Sequence, residues 1–142
     1  MKSEPQTATP ASAPLLAGVI VTHGDVARAL RDAARQIAGD VRCLEIVSNE
    51  GASLEQLTGR VHDALAGMNG QACIVFVDFR GGSSANAALR AVSGLDHVRV
   101  VAGVNLPMVL DFVLRRCDYD LDAMVARLVQ RGQAAVQTLK AC

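Results

Sequence analysis

Tryptophan is absent, and only Phe76, Phe79, Phe112 and Tyr119 are aromatic. The core therefore has to be built from aliphatic side chains. Net charge is absent as well: Lys plus Arg and Asp plus Glu stand at 14 each. Without a surplus of either sign, no long-range field recruits nucleic acid or an anionic membrane surface. No apolar run approaches the roughly 18 residues that a bilayer-spanning helix needs, so direct membrane insertion is not expected. The four cysteines, Cys43, Cys73, Cys117 and Cys142, are widely spaced and form no C-x-x-C pair. That usage points to reduced thiols in a cytoplasmic protein and implies neither a metal site nor a disulfide.

What is present is a chain of 142 residues, 51% hydrophobic and 20% charged. That is enough for one domain with a proper core and too little for two ordinary ones. Residues 1–14 are rich in Ser, Thr, Pro and Ala and lack a long apolar stretch. They read as a disordered tail rather than a signal peptide, which leaves 15–142 as the domain.

Four short apolar or alternating runs read as strands, at about 16–22, 41–48, 72–78 and 98–103. Helical patterns separate them. Val26, Leu30, Ala33, Ala34 and Ile37 recur at helical spacing and stop at Gly39, a C-terminal cap. Ser53 with Gln56 forms a capping box ahead of Leu54, Leu57, Val61, Leu65 and Met68. A third helix starts near Ser83 or Ser84 and is expected to bury Ala88, Leu89 and Val92. Asn105-Leu106-Pro107 opens a fourth, lined by Val109, Leu110, Val113 and Leu114. Asp118 or Asp120 caps a last one carrying Leu121, Met124, Val125, Leu128 and Val129. Strict alternation of strand and helix predicts an α/β fold: a doubly wound, four-stranded parallel sheet flanked by helices. Residues 135–142 fit either a continued helix or a short edge strand.

Two strand ends carry the chemistry. The first run delivers His23, followed by Gly24; the third ends in Asp78-Phe79-Arg80-Gly81-Gly82-Ser83. With the first strand central and the third beside it, His23 and Asp78 face each other where the sheet reverses direction, the usual ligand edge of such folds. A carboxylate that accepts a bond from one imidazole nitrogen fixes the tautomer and leaves the other nitrogen's lone pair free to attack. Backbone amides near Gly24 and in the Gly81-Gly82-Ser83 turn, the Ser83 hydroxyl and two helix N-termini offer donors to phosphoryl oxygens. Arg80 adds a charge-assisted contact. The plain alternatives are a loop or helix-capping His23, an N-capping Asp78 and an ordinary Gly-Gly turn. His62, His97 and the Arg115-Arg116 pair read as surface residues, and Cys117 has no partner for catalysis. Asn105 and Met108, after the fourth strand, fit either a helix start or a rim that touches a protein partner.

Three blocks together resemble a known family: Gly18 to Gly24, Asp78 to Ala88, and Gly103 to Met108. They resemble the mannose-type enzyme IIA domains of the bacterial phosphoenolpyruvate-dependent sugar phosphotransferase system. The resemblance implies that His23 accepts a phosphoryl group on Nε2 from the phosphocarrier HPr and passes it to an enzyme IIB partner, with no metal or organic cofactor. It implies that Asp78 orients Nδ1 and that Ser83 lies beside the phosphoryl group. It also implies a homodimer in which residues around Val136 to Lys140 form an antiparallel edge strand swapped between subunits. One departure is visible, since the family usually has Pro after Gly-Gly-Ser where this chain has Ser84. The chain ends soon after the domain, so the acceptor is expected to be a separate protein. Two other functions compete. One is a regulatory protein in which the state of His23 reports phosphoenolpyruvate supply without transport; the other is a non-catalytic interaction module on the same scaffold. A His-dependent phosphatase is weaker, because no second acid is placed to protonate a leaving group.

Overall fold

Parallel pairing gathers the four apolar runs into one sheet. The computed structural model describes residues 15–141; the expectations for residues 1–14 and for Cys142 lie outside them. Strands β1 (Ala17–Thr22), β2 (Leu44–Ser48), β3 (Cys73–Val77) and β4 (Val98–Ala102) run in the order β2-β1-β3-β4, all parallel. Crossovers pass through α1 (Val26–Ala38), α2 (Leu54–Ala66) and α3 (Ser83–Ala91), and α4 (Leu106–Arg115) and α5 (Leu121–Ala134) follow β4. This is the doubly wound α/β sheet that the alternation predicts.

The two central strands are buried on both faces, which is why they read as continuous apolar runs. Val19, Val21, Val75 and Val77 point to one face, where Leu57 and Val61 of α2 and the alanines of α3 cover them. Ile20, Ile74 and Phe76 point to the other, under Ala34 of α1, Phe112 of α4 and Met124 and Leu128 of α5. The aromatic share of this core is one edge-to-face pair, Phe76 with Phe112, ring centroids 5.3 Å apart. A Cβ on Gly18 would lie 2.8 Å from Leu44 Cδ2 and 3.0 Å from Phe112, so only glycine lets that ring reach the sheet.

Local signals set most element ends. The Ser53–Gln56 capping box forms in both directions, Asn105 caps α4 and Asp120 caps α5. Gly39 ends α1 at φ 89°. The second strand starts later than its apolar run. Residues 40–43 form a turn held by Arg42 on Asp40 and by the Leu44 amide on the Val41 carbonyl, so Val41 is buried from the turn.

Two readings need correction. Leu89 is 57% exposed: α3 turns its small residues, Ser84, Ala85, Ala87, Ala88 and Ala91, to the core and leaves Leu89 outside. Val26 and Ile37 of α1 and Leu114 of α4 are likewise exposed, while Ala27 and Ala34, and Met108, Val109 and Phe112, supply the buried faces. Past Ala134 the chain neither continues the helix nor pairs with this sheet; residues 136–141 have no regular structure, and Val136 and Leu139 stand 82% and 84% exposed. Ser84, in the first turn of α3, is fully buried, and its hydroxyl has no partner among the described residues. An unpartnered buried hydroxyl costs about 1–3 kcal/mol.

Candidate active site

The site grows from two strand ends in register. Val21 pairs with Val77, so the residues that follow, Thr22-His23 and Asp78, emerge side by side at the C-terminal edge of the sheet. Thr22 is buried, and its hydroxyl accepts the Ala27 amide at 2.7 Å, capping α1. Asp25 makes no side-chain cap. The helix therefore does not need the His23 side chain, which is free for other work.

Asp78 takes hold of His23 twice. Its Oδ2 accepts the His23 main-chain amide at 2.9 Å and lies 2.7 Å from Nδ1. Its Oδ1 accepts the Phe79 amide at 3.1 Å. Burial pushes this carboxyl up, but the bonds from the His23 amide and imidazole, the imidazole charge and the Phe79 amide outweigh it, and the net shift is downward. Asp78 thus stays ionised and acts as an acceptor only. That places the proton on Nδ1 and the lone pair on Nε2, an assignment made from the bonding network. Asp78 is not an N-cap: Gly82 stands at that position of α3, with no side-chain cap bond.

On the open side, Ser83 Oγ lies 3.2 Å from Nε2. The His23 side chain is 41% exposed against 16% for Asp78, so the imidazole bridges a sheltered carboxylate and solvent. Gly81 adopts φ 86°, which an L side chain resists. The turn that glycine allows aims the first amides of α3, which have no intrahelical partners, toward this edge. His23, Asp78, Ser83, Gly81 and Gly82 therefore meet as the sequence indicates.

Other expected residues are placed differently. Arg80 is exposed and makes no hydrogen bond or ion pair among the described residues. The Gly24 amide is already taken, donating to Asn49 Oδ1 at 3.1 Å, while Ser48 Oγ donates to the Gly24 carbonyl at 3.0 Å. Arg60 holds that loop through the Ser48 and Glu50 carbonyls. Met108 is 3% exposed and so forms no rim. Asn105 accepts the Met108 amide and donates to the Gly132 carbonyl, both at 3.0 Å, which is the helix-start role. Sequence reading missed Phe79, whose ring stacks on His23 with centroids 5.3 Å apart at 22°. Its one signal was an aromatic residue directly after the strand-end aspartate.

Among the described residues, no group of three or more His, Cys, Asp or Glu side chains could hold a metal ion, and no helix is long and apolar enough to cross a membrane.

Fold and site together define a doubly wound α/β protein that presents a carboxylate-oriented histidine at the switch point of its sheet. Residues 17–129 match the EIIA-man family model, described as the PTS system fructose IIA component, and the chain belongs to that family. The mannose-specific EIIAB component of Escherichia coli K12 is 37% identical over 131 residues, covering 89% of this chain and 40% of that protein. The chain thus spans about 40% of the length of the first curated relatives it matches. The fructose-specific EIIA component of Bacillus subtilis is 28% identical over 125 residues, 87% of this chain and 86% of that one. Among solved structures, the mannose/sorbose-specific IIA subunit from Enterococcus faecalis superposes with a TM-score of 0.81 at 27% identity, over 92% of this chain and 97% of that one.

Proposed function

We propose that this chain is a phosphocarrier of the sugar phosphotransferase system, accepting a phosphoryl group from HPr on His23 Nε2 and passing it to an enzyme IIB partner. The observation that carries the reading is the line from Asp78 Oδ2 through the imidazole to Ser83 Oγ, 2.7 Å at one nitrogen and 3.2 Å at the other. The Nε2 lone pair attacks phosphorus while the donor's P–N bond breaks, its electron pair staying on the donor imidazole. The Nδ1 proton remains in place, so the His23 ring becomes cationic, and the ionised Asp78 beside it offsets that charge. Ser83 and the first amides of α3 donate to the phosphoryl oxygens. Transfer onward reverses these steps, with no acid, metal or organic cofactor required.

The test is incubation with phosphoenolpyruvate, enzyme I and HPr, followed by intact-mass analysis. A single acid-labile phosphoryl adduct, discharged by enzyme IIB, is expected; a folded chain that gains no adduct overturns the reading.

The same reading makes residues 15–142 one cytoplasmic domain and gives the exposed end a role. Val136 and Leu139 follow α5 and are exposed, and the β4 edge of the sheet pairs only with β3 among the described residues. Exchanged between two subunits, this segment would cover both edges and its own apolar side chains. Light scattering is expected to give a dimer, and a monomer at micromolar concentration would sink the exchange.

A further inference from the structure

Phe79 is 53% exposed, yet it is not loosely placed. Its ring sits over the Cα of Gly82, where an added Cβ would fall 2.7 Å from Cζ and about as close to both Cε atoms, at 3.0 and 3.1 Å. Its main chain is tied to Asp78 Oδ1 while the imidazole is tied to Oδ2. One carboxylate therefore staples the two stacked rings together. Gly82 is needed here for the room it leaves the phenyl ring, since its own backbone, at φ −81°, suits any residue.

The hydrogen bond from Nδ1 to Asp78 leaves the imidazole free to rock about that axis. A second contact across the ring face removes the rocking and keeps Nε2 on the side of Ser83. The face of a phenyl ring is also negative, and it attracts a neighbouring ring that becomes cationic when Nε2 bonds to phosphorus. We propose that Phe79 is a positioning residue for the phosphoacceptor: its stacked ring fixes the plane of His23 and favours the phosphorylated, cationic imidazole. This inference rests on His23 being the acceptor.

Phosphoramidate tests it without a protein donor, so a role of Phe79 in docking cannot imitate the result. The Nε2 lone pair attacks phosphorus, the P–N bond of phosphoramidate breaks with its pair on nitrogen, and ammonia leaves. Phe79→Leu, which keeps the apolar bulk and loses the aromatic face, is expected to slow adduct formation by about 2- to 12-fold, the range a stacked aromatic pair contributes. Phe79→Tyr, which keeps the face, is expected to restore the rate. A Phe79→Leu rate equal to wild type, or a slow Phe79→Tyr, overturns the stacking role while leaving His23 as acceptor. A wild type that takes up no phosphoryl group from either phosphoramidate or HPr overturns the functional reading, and this inference with it.

Discussion

Replacing His23 by alanine is expected to leave a folded chain that gains no phosphoryl group from HPr. The loss is complete because no other histidine can substitute: His62 lies on α2 and His97 in the turn before β4, and among the described residues only His23 pairs its ring with a carboxylate and reaches Ser83. The fold survives for a local reason. Asp78 keeps two main-chain donors, the amides of residue 23 and Phe79, after the imidazole is gone. The lost charge-assisted bond costs about 1.5–3 kcal/mol, and Thr22 still caps α1. Intact mass after incubation with the phosphoryl donors, set beside a thermal melt, checks both halves. An adduct on the folded variant would show that His23 is not the acceptor.

Asp78→Asn is expected to produce the second largest effect, a fall in phosphorylation rate of about 10²-fold or more, the scale on which a positioned proton-handling group contributes. Asparagine preserves the shape but removes the negative charge that offsets the cationic ring, and it no longer dictates which ring nitrogen carries the proton. The same substitution should change the acid stability. Burial raises the Asp78 carboxyl, and the His23 and Phe79 bonds more than reverse that rise, so its folded pKa lies below its unfolded one. A depressed carboxyl contributes stability that is fully present above the unfolded value of about 3.9 and is lost as pH falls through the folded value. The stability gap between wild type and Asp78→Asn is therefore expected to shrink below about pH 4. Chemical denaturation at a series of pH values reads it; a gap that widens in acid would contradict the assigned charge on Asp78.

The parts of this molecule that were legible in sequence are those written by short-range chemistry. Ser53 with Gln56, Asn105 and Asp120 announce helix starts because each makes its bond within three residues. The strand order and the meeting of His23 with Asp78 were legible because two apolar runs ended in functional side chains just before helices. Helix rotation was not. Periodicity gives the spacing of a buried face, but α3 is so rich in alanine that Leu89 looked like its anchor, whereas the close approach of α2 favours the small residues. Met108 illustrates the same limit: its place at a strand end suggested a rim, but it packs inward against Gly132, where an added Cβ would sit 2.6 Å from its Cε. The stack of Phe79 on His23 joins residues far apart in sequence, and its one local signal, an aromatic residue after the strand-end aspartate, does not say which ring it meets.

The distance along the chain between the paired groups has a consequence for biosynthesis. His23 and Asp78 are separated by 55 residues, and His23 and Ser83 by 60. They meet only when β1 and β3 have paired in parallel across the whole α1-β2-α2 segment, a non-local step that comes late and slowly in folding. A nascent or misassembled chain holds its histidine in water, with no carboxylate to orient it. Under the proposed function, competence to accept the group is therefore acquired only with the native strand order and lost with it.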